Sequence, residues 1–126
     1  MDIDKIDSLG PQAAYEAWLR AGQFRIQRAK STGEHVFYPR VVSPMGATDL
    51  EWVTPTGLGT VAAITVNRDR SGSWNVALID LDEGVRIMST VLGVETVPVG
   101  SRVRLDLEPW EDTNRVVFRP LTGEPA

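Results

Sequence analysis

His35 is the only histidine in the chain, and there is no cysteine. A thiol nucleophile, a disulfide and a thiolate metal site are therefore excluded, and one imidazole cannot build a tetrahedral metal site alone. No Gly-x-Ser-x-Gly elbow offers a serine in place of the thiol. His35 follows Glu34 at the end of the turn-forming run Ser31-Thr32-Gly33, which suits an exposed turn residue better than a general base. Asp80, Asp82 and Glu83 supply carboxylates, but Asp80-Leu81-Asp82-Glu83-Gly84 lacks the ligand spacing of a calcium loop. Its acids and its glycine read as turn chemistry. Gly57 and Gly59 lead into a strand-forming run, so a phosphate-loop reading lacks the helix N-terminus it requires. The clearest chemical direction is basic. Arg20, Arg25, Arg28, Lys30 and Arg40 stand against Glu34 alone, so residues 20–40 carry +4 and the rest of the chain −8. Such a stretch can meet an anionic ligand or an acidic partner.

These groups must be positioned by a mainly β chain. Asn75 to Val91 reads as two strands folded back at Asp82-Glu83-Gly84, with Gly84 expected at positive φ. Ala77, Ile79 and Leu81 fall on one face, Val76 and Leu78 on the other. Val61 to Val66 precedes it, after the glycine loop and before the breaker Asn67 to Ser73. Arg102 to Leu107 alternates cleanly, Pro109 to Asn114 is a turn, and Arg115 to Arg119 is a last strand with Val116 and Phe118 on one side. Five strands with turn signals between them predict a small closed barrel of the OB type. Upstream, Pro11 suits the first turn of a helix that runs to about Ala21, with Gly22 as its stop. Ala14, Tyr15, Trp18 and Leu19 form one apolar stripe on it. An isolated helix of ~12 residues is marginal in water, so this stripe must dock on the protein's own body or on another subunit. Phe24 to Gln27 and Val36 to Arg40 read as short strands around a turn, the second ending at Pro39. Residues 1–9 read as a short helical turn or a loose arm, and the residues after Pro120 as a tail. The expected domains are a helical arm over 1–22, a hairpin segment over 23–53 and the barrel over 54–126.

The 126 residues suffice for one domain with an appendage and a core that needs no disulfide. The apolar fraction of 42% and charged fraction of 24% are those of a globular chain. Met1 to Gly10 shows no basic segment followed by an apolar run, and no stretch approaches the ~18 apolar residues of a membrane span. A cytoplasmic protein without membrane contact is the expectation.

The order of short motifs resembles the acyl-CoA-associated OB-fold family, in which a rubredoxin-like zinc ribbon precedes the barrel. The matching residues are Ile26-Gln27-Arg28, Gly33, Phe37-Tyr38-Pro39-Arg40, Pro44, Leu50-Glu51-Trp52, Gly57-Leu58-Gly59-Thr60-Val61, Asp82-Glu83-Gly84-Val85-Arg86 and Val99-Gly100. The resemblance covers most of the chain, from about Ala14 to Phe118. The family's cysteine knuckles are lost. Ala29 and Thr32 stand at the first pair, and Ser43-Pro44-Met45-Gly46 is one residue short of the second, with Ser43 at its first cysteine. A metal-free ribbon is predicted, an expectation that stoichiometric zinc in elemental analysis would overturn. Packing of Val36, Phe37, Tyr38 and Trp52, or a partner subunit, would have to replace the folding energy of the ion.

The resemblance implies a non-catalytic accessory subunit without a cofactor, bound in a hetero-oligomer to a thiolase-like or ketosynthase-like enzyme acting on acyl-CoA or related acyl substrates. It places the partner interface at Tyr15, Trp18, Phe24, Arg28, Phe37, Tyr38 and Arg40, with Arg28 and Arg40 available to CoA phosphates or partner carboxylates. Asp82, Glu83 and Gly84 remain a structural turn. Two other classes compete. A single-strand nucleic-acid binder would use a basic groove and stacking aromatics. From Thr56 onward only Trp74, Trp110 and Phe118 are available, and the sequence pI is near 4.9. A stand-alone enzyme is limited by the nucleophile inventory.

Overall fold

The computed structural model describes residue 6 and residues 8–121. Residues 1–5 and 7 of the segment read as a short helical turn or loose arm, and the tail beyond Leu121, lie outside the described residues. The elements are helix α1 (Pro11–Arg20) and strands β1 (Ile26–Ala29), β2 (His35–Val36), β3 (Leu50–Val53), β4 (Leu58–Asp69), β5 (Gly72–Leu81), β6 (Arg86–Ser89), β7 (Arg102–Trp110) and β8 (Thr113–Pro120). Two compact units result, one from Met1–Pro55 with Pro109–Arg115, the other from Thr56–Glu108 with Val116–Ala126.

In the first unit, α1 starts with Pro11 after Gly10 and is closed by Gly22 at φ 84°, whose N–H donates to the Leu19 carbonyl at 2.9 Å. Its buried stripe, Ala14, Ala17 and Trp18, packs with Ile6, and Leu9 and Trp52 lie against that cluster. The helix end is tied further by Asn114, whose side-chain amide donates to the Leu19 carbonyl at 2.8 Å. A three-stranded antiparallel sheet in the order β2-β1-β3 follows. The first strand begins two residues later than the sequence suggests, because Phe24 is buried among aromatic rings before pairing starts. The second is shorter: only His35–Val36 pairs. His35 is therefore a half-buried strand residue, a correction to its reading as an exposed turn residue.

The second unit is the barrel, with strand order β6-β5-β4-β7-β8. A parallel bridge from Val91 to Phe118 joins its two ends, with Leu92 N–H donating to the Phe118 carbonyl at 2.8 Å and Phe118 N–H to the Thr90 carbonyl at 2.9 Å. That closure makes it an OB-type barrel. β4 serves two neighbours, β5 along its length and β7 at its start, and a register shift between Val61 and Ala63 bends it between them. Ala77, Ile79, Leu81, Val61, Ile87, Val103, Val117 and Phe118 fill the interior. Val76 faces outward and is exposed; Leu78, on the same face, is half-buried. Burial of Val117 beside Phe118 breaks the expected alternation of the last strand.

The strands run further than the sequence breakers imply. β4 and β5 continue to Asp69 and from Gly72, leaving only Arg70 and Ser71 in the turn. The Asp69 carboxylate accepts from Ser71 N–H at 2.8 Å and Oγ at 2.6 Å, an Asx turn that closes the hairpin tightly. β7 and β8 likewise leave only Glu111 and Asp112 between them. Gly84 has φ 98°, as expected for the turn after β5. Among the described residues no helix is long and apolar enough to cross a membrane.

Ion pairs decorate the barrel. Arg86 binds Asp80 at 2.7 and 3.0 Å, Arg102 binds Asp82 at 2.7 and 2.8 Å, Arg119 meets Asp106 at 2.9 Å, and Arg68 meets Glu95 at 2.7 Å. Hydrogen bonds from these guanidinium groups hold all four carboxyls below their ordinary range. Because the folded values lie below the unfolded ones, the stabilisation is complete above about pH 4 and is lost as pH falls through and below it. The pairs are exposed, so each is weak and salt-sensitive. The thermal midpoint is expected to stay level from neutral pH to about pH 5, then fall below about pH 4. A midpoint that holds or rises on acidification would contradict this.

Candidate interaction surface

The basic residues of the first unit are distributed by what their neighbours require. Arg25 lies over the Trp18 ring at 4.0 Å and donates to Gln23 Oε1 at 3.0 Å. Arg28 donates to Glu51 at 3.1 Å across the β1–β3 ladder, where the two residues stand opposite each other. Arg25 and Lys30 line an open depression of about 410 Å³ with Leu50, Glu51 and Trp52, in which Glu51 offsets part of the positive charge. Arg40 is exposed, and its guanidinium has no acidic partner among the described residues.

The backbone beneath Arg40 is held from inside. Gln27 is a buried polar residue, and its amide makes both halves of a strand-like pair with Arg40: Nε2 donates to the Arg40 carbonyl and Oε1 accepts the Arg40 N–H, each at 2.7 Å. A side chain thus replaces the ladder that the Val36 to Arg40 run was expected to make. Replacing Gln27 with Ala leaves two backbone groups without partners, at a cost of about 2–3 kcal/mol to this unit. Trypsin cleavage after Arg40 should accelerate in step, and an unchanged cleavage rate would contradict this role.

The two positions where the family carries knuckles are hydrogen-bonded turns. Gly33 N–H donates to the Ala29 carbonyl at 2.8 Å, and Asp49 accepts from Ser31 N–H at 2.7 Å and Oγ at 3.1 Å. Ser43, buried, accepts the Ala47 N–H on its Oγ at 2.9 Å, while its own N–H donates to the Ala47 carbonyl at 2.8 Å. Gly33 and Gly46 take φ of 78° and 96°. Among the described residues no three His, Asp or Glu side chains are grouped to hold a metal. The sequence reading expected apolar packing or a partner to hold these turns and gave Gln27, Ser43 and Asp49 no hydrogen-bonding role. For Ser43 a signal existed: serine is the nearest isostere of the cysteine that the family carries there.

The aromatic residues divide sharply. Tyr15, Phe24 and Phe37 form a cluster with ring centroids 5.6 to 6.1 Å apart, and Tyr38 lies over Phe37 at 4.5 Å. Trp18 and Phe24 are buried within this unit, so their rings are committed to its own core and offer a partner little surface. Tyr15, Arg28 and Phe37 are half-buried, while Tyr38 and Arg40 are exposed. Burial pushes the Tyr15 hydroxyl up to about 12, so it stays neutral and cannot serve as a base. In the barrel, Asp82 and Glu83 are turn ligands for the chain itself. Asp82 receives Arg102, and Glu83 accepts the Thr56 N–H at 2.9 Å.

Residues 52–108 match the sequence profile of the ChsH2 C-terminal OB-fold domain. That stretch is similar to a ChsH2-type OB-fold domain. The resemblance to the acyl-CoA-associated OB-fold family therefore holds. Similarity to solved structures extends beyond residues 52–108. The Ltp2-ChsH2(DUF35) aldolase contains a chain that matches 87% of this one and 94% of its own length, at 25% identity and a TM-score of 0.76. A DUF35-family protein of unknown function from Sulfolobus solfataricus matches over 95% of this chain and 92% of its own, at 15% identity and a TM-score of 0.64, which shows the shared fold alone. A shorter match, to a monomeric SCP2-thiolase-like protein type 1 from Mycobacterium smegmatis, has a TM-score of 0.37 and supports no inference. No functionally curated sequence matches the chain.

Proposed function

We propose that this chain is a non-catalytic accessory subunit of a thiolase-like enzyme, which it binds and stabilises. The observation that carries the reading is the similarity to a chain of the Ltp2-ChsH2(DUF35) aldolase, which covers 94% of that chain and 87% of this one, more than the barrel alone. The residue inventory agrees. The chain has no thiol, its one histidine is a strand residue, and its barrel carboxylates are occupied by arginines and backbone N–H groups. The nucleophile and the carbon–carbon or acyl-transfer chemistry on acyl-CoA or related acyl substrates then belong to the partner. This chain contributes the surface around Tyr38 and Arg40, with Arg28, Tyr15 and Phe37 behind it. In this reading Arg40 meets a partner carboxylate or a CoA phosphate, since a guanidinium pairs with both.

The test is reconstitution. A thiolase-like protein co-expressed with this chain is expected to co-elute with it in size-exclusion chromatography and to turn over acyl-CoA thioester faster or longer in its presence. Arg40→Ala should weaken co-elution or turnover. Separate elution together with an unaltered turnover would remove the reading.

A further inference from the structure

The loop from Tyr38 to Met45 carries large apolar side chains that the core does not use. Tyr38 is 63% exposed, Val41 71%, Val42 44% and Met45 82%. Scattered exposed hydrophobic residues are ordinary, but four within eight residues on one loop make a patch. The loop is not loose beneath them. The buried Gln27 amide grips the backbone of Arg40, and the buried Ser43 hydroxyl and backbone close the turn to Ala47. The chain thus fastens this backbone inward while its apolar side chains face water. A docking surface held in this way loses little conformational freedom when it binds.

We infer that Val41, Val42 and Met45 are the apolar anchors by which this chain docks on its thiolase-like partner, with Arg40 as the one charged contact among them. The inference rests on the functional reading above and specifies its surface. Charge selects the occupant. Arg40 is the only charged residue between Tyr38 and Met45, and it has no counter-ion among the described residues. One cation in an apolar setting suits a protein that offers a depression with a single carboxylate at its rim. It does not suit a nucleic acid or an anionic membrane, each of which needs several cations together.

The experiment measures the affinity of the purified chain for the thiolase-like protein used in the reconstitution, by titration calorimetry. Variants are Val41→Glu with Met45→Glu, Val41→Ser with Met45→Ser, Arg40→Glu and Arg40→Lys, and thermal midpoints are recorded for each. These side chains are exposed, so the midpoints should match the wild type. The glutamate pair and Arg40→Glu are each expected to weaken binding by about thirty-fold or more, the size of an interface hot spot, with a smaller loss for the serine pair and for Arg40→Lys. If the wild type binds and all variants bind within about three-fold of it, the docking surface lies elsewhere and the functional reading survives. If the wild type does not bind at all, the functional reading itself falls, and this surface with it. If the chain alone is a dimer that the glutamate pair dissociates, the occupant is a second copy and the partner assignment is overturned.

Discussion

Asn75→Ala is expected to lower the stability of the barrel unit by about 2–4 kcal/mol, a large share of the 5–15 kcal/mol typical of a domain. Asn75 is buried, and its side chain fastens a segment that belongs to no strand. Its Nδ2 donates to the Val91 carbonyl at 2.8 Å, and its Oδ1 accepts the Val91 N–H at 2.8 Å and the Thr90 hydroxyl at 3.0 Å. Val91 is itself fully buried and forms the parallel bridge to Phe118 that closes the barrel. Alanine would leave a buried N–H, a buried carbonyl and a hydroxyl without partners at the closure. Urea unfolding followed by tryptophan fluorescence, with Trp74 next in sequence, reads the loss. Hydrogen exchange at Val91 should speed up by a comparable factor. Asn75→Asp loses the donor and sets a buried carboxylate against the Val91 carbonyl, so at neutral pH it should be no better tolerated than alanine. A change in stability below about 0.5 kcal/mol, within the range of an ordinary surface substitution, would show that water or neighbouring groups replace the amide.

Gly59→Val is expected to prevent the barrel from packing. Gly59 is buried and lies between strands, opposite Leu81 on β5 and Val103 on β7. A Cβ added there would stand 2.8 Å from Ile79 Cγ2 and 2.9 Å from the Asp80 carbonyl oxygen. The second of these is backbone in the neighbouring strand, so no rotamer change relieves it. Overpacking of this kind costs about 1–3 kcal/mol for a single added carbon, and the branched valine exceeds it. Gly59→Ala should therefore lower the melting temperature, and Gly59→Val should yield mostly insoluble protein. Gly84 is the control. A Cβ there meets nothing within 4 Å, and only its φ of 98° is unfavourable. Gly84→Val should then cost about 1–3 kcal/mol through backbone strain and still fold. Equal tolerance at both glycines would refute the close-approach account of Gly59.

The contrast between these two glycines shows what can be read without a structure. Gly84 follows two acids at the end of an apolar run, and that local pattern already demands a turn. Gly59 reads as part of a glycine loop that leads into a strand, whereas it stands inside β4 and pairs on both sides. What lies close to it is Asp80, twenty-one residues away, and no local signal names it. Buried polar residues behave similarly. Gln27 and Asn75 look like ordinary strand residues, because the groups they satisfy lie 13 and 16 residues further on.

By itself the sequence determined the chemistry that is impossible and the local shape of most elements. The absence of cysteine removed the thiolate, and the alternation of apolar residues with Gly, Pro and Asp turns set the strands that make a barrel. These are properties of adjacent residues, which are in contact whatever the fold. Tertiary structure alone decided where strands end, since β4 and β5 pair straight through the polar residues at their tip. It also decided which aromatic rings are core and which are surface. Trp18 and Tyr38 carry comparable apolar bulk, yet one is buried against Ile6 and the other faces water on the Arg40 loop. Burial depends on what the fold places opposite a side chain, and the residue type alone does not contain that.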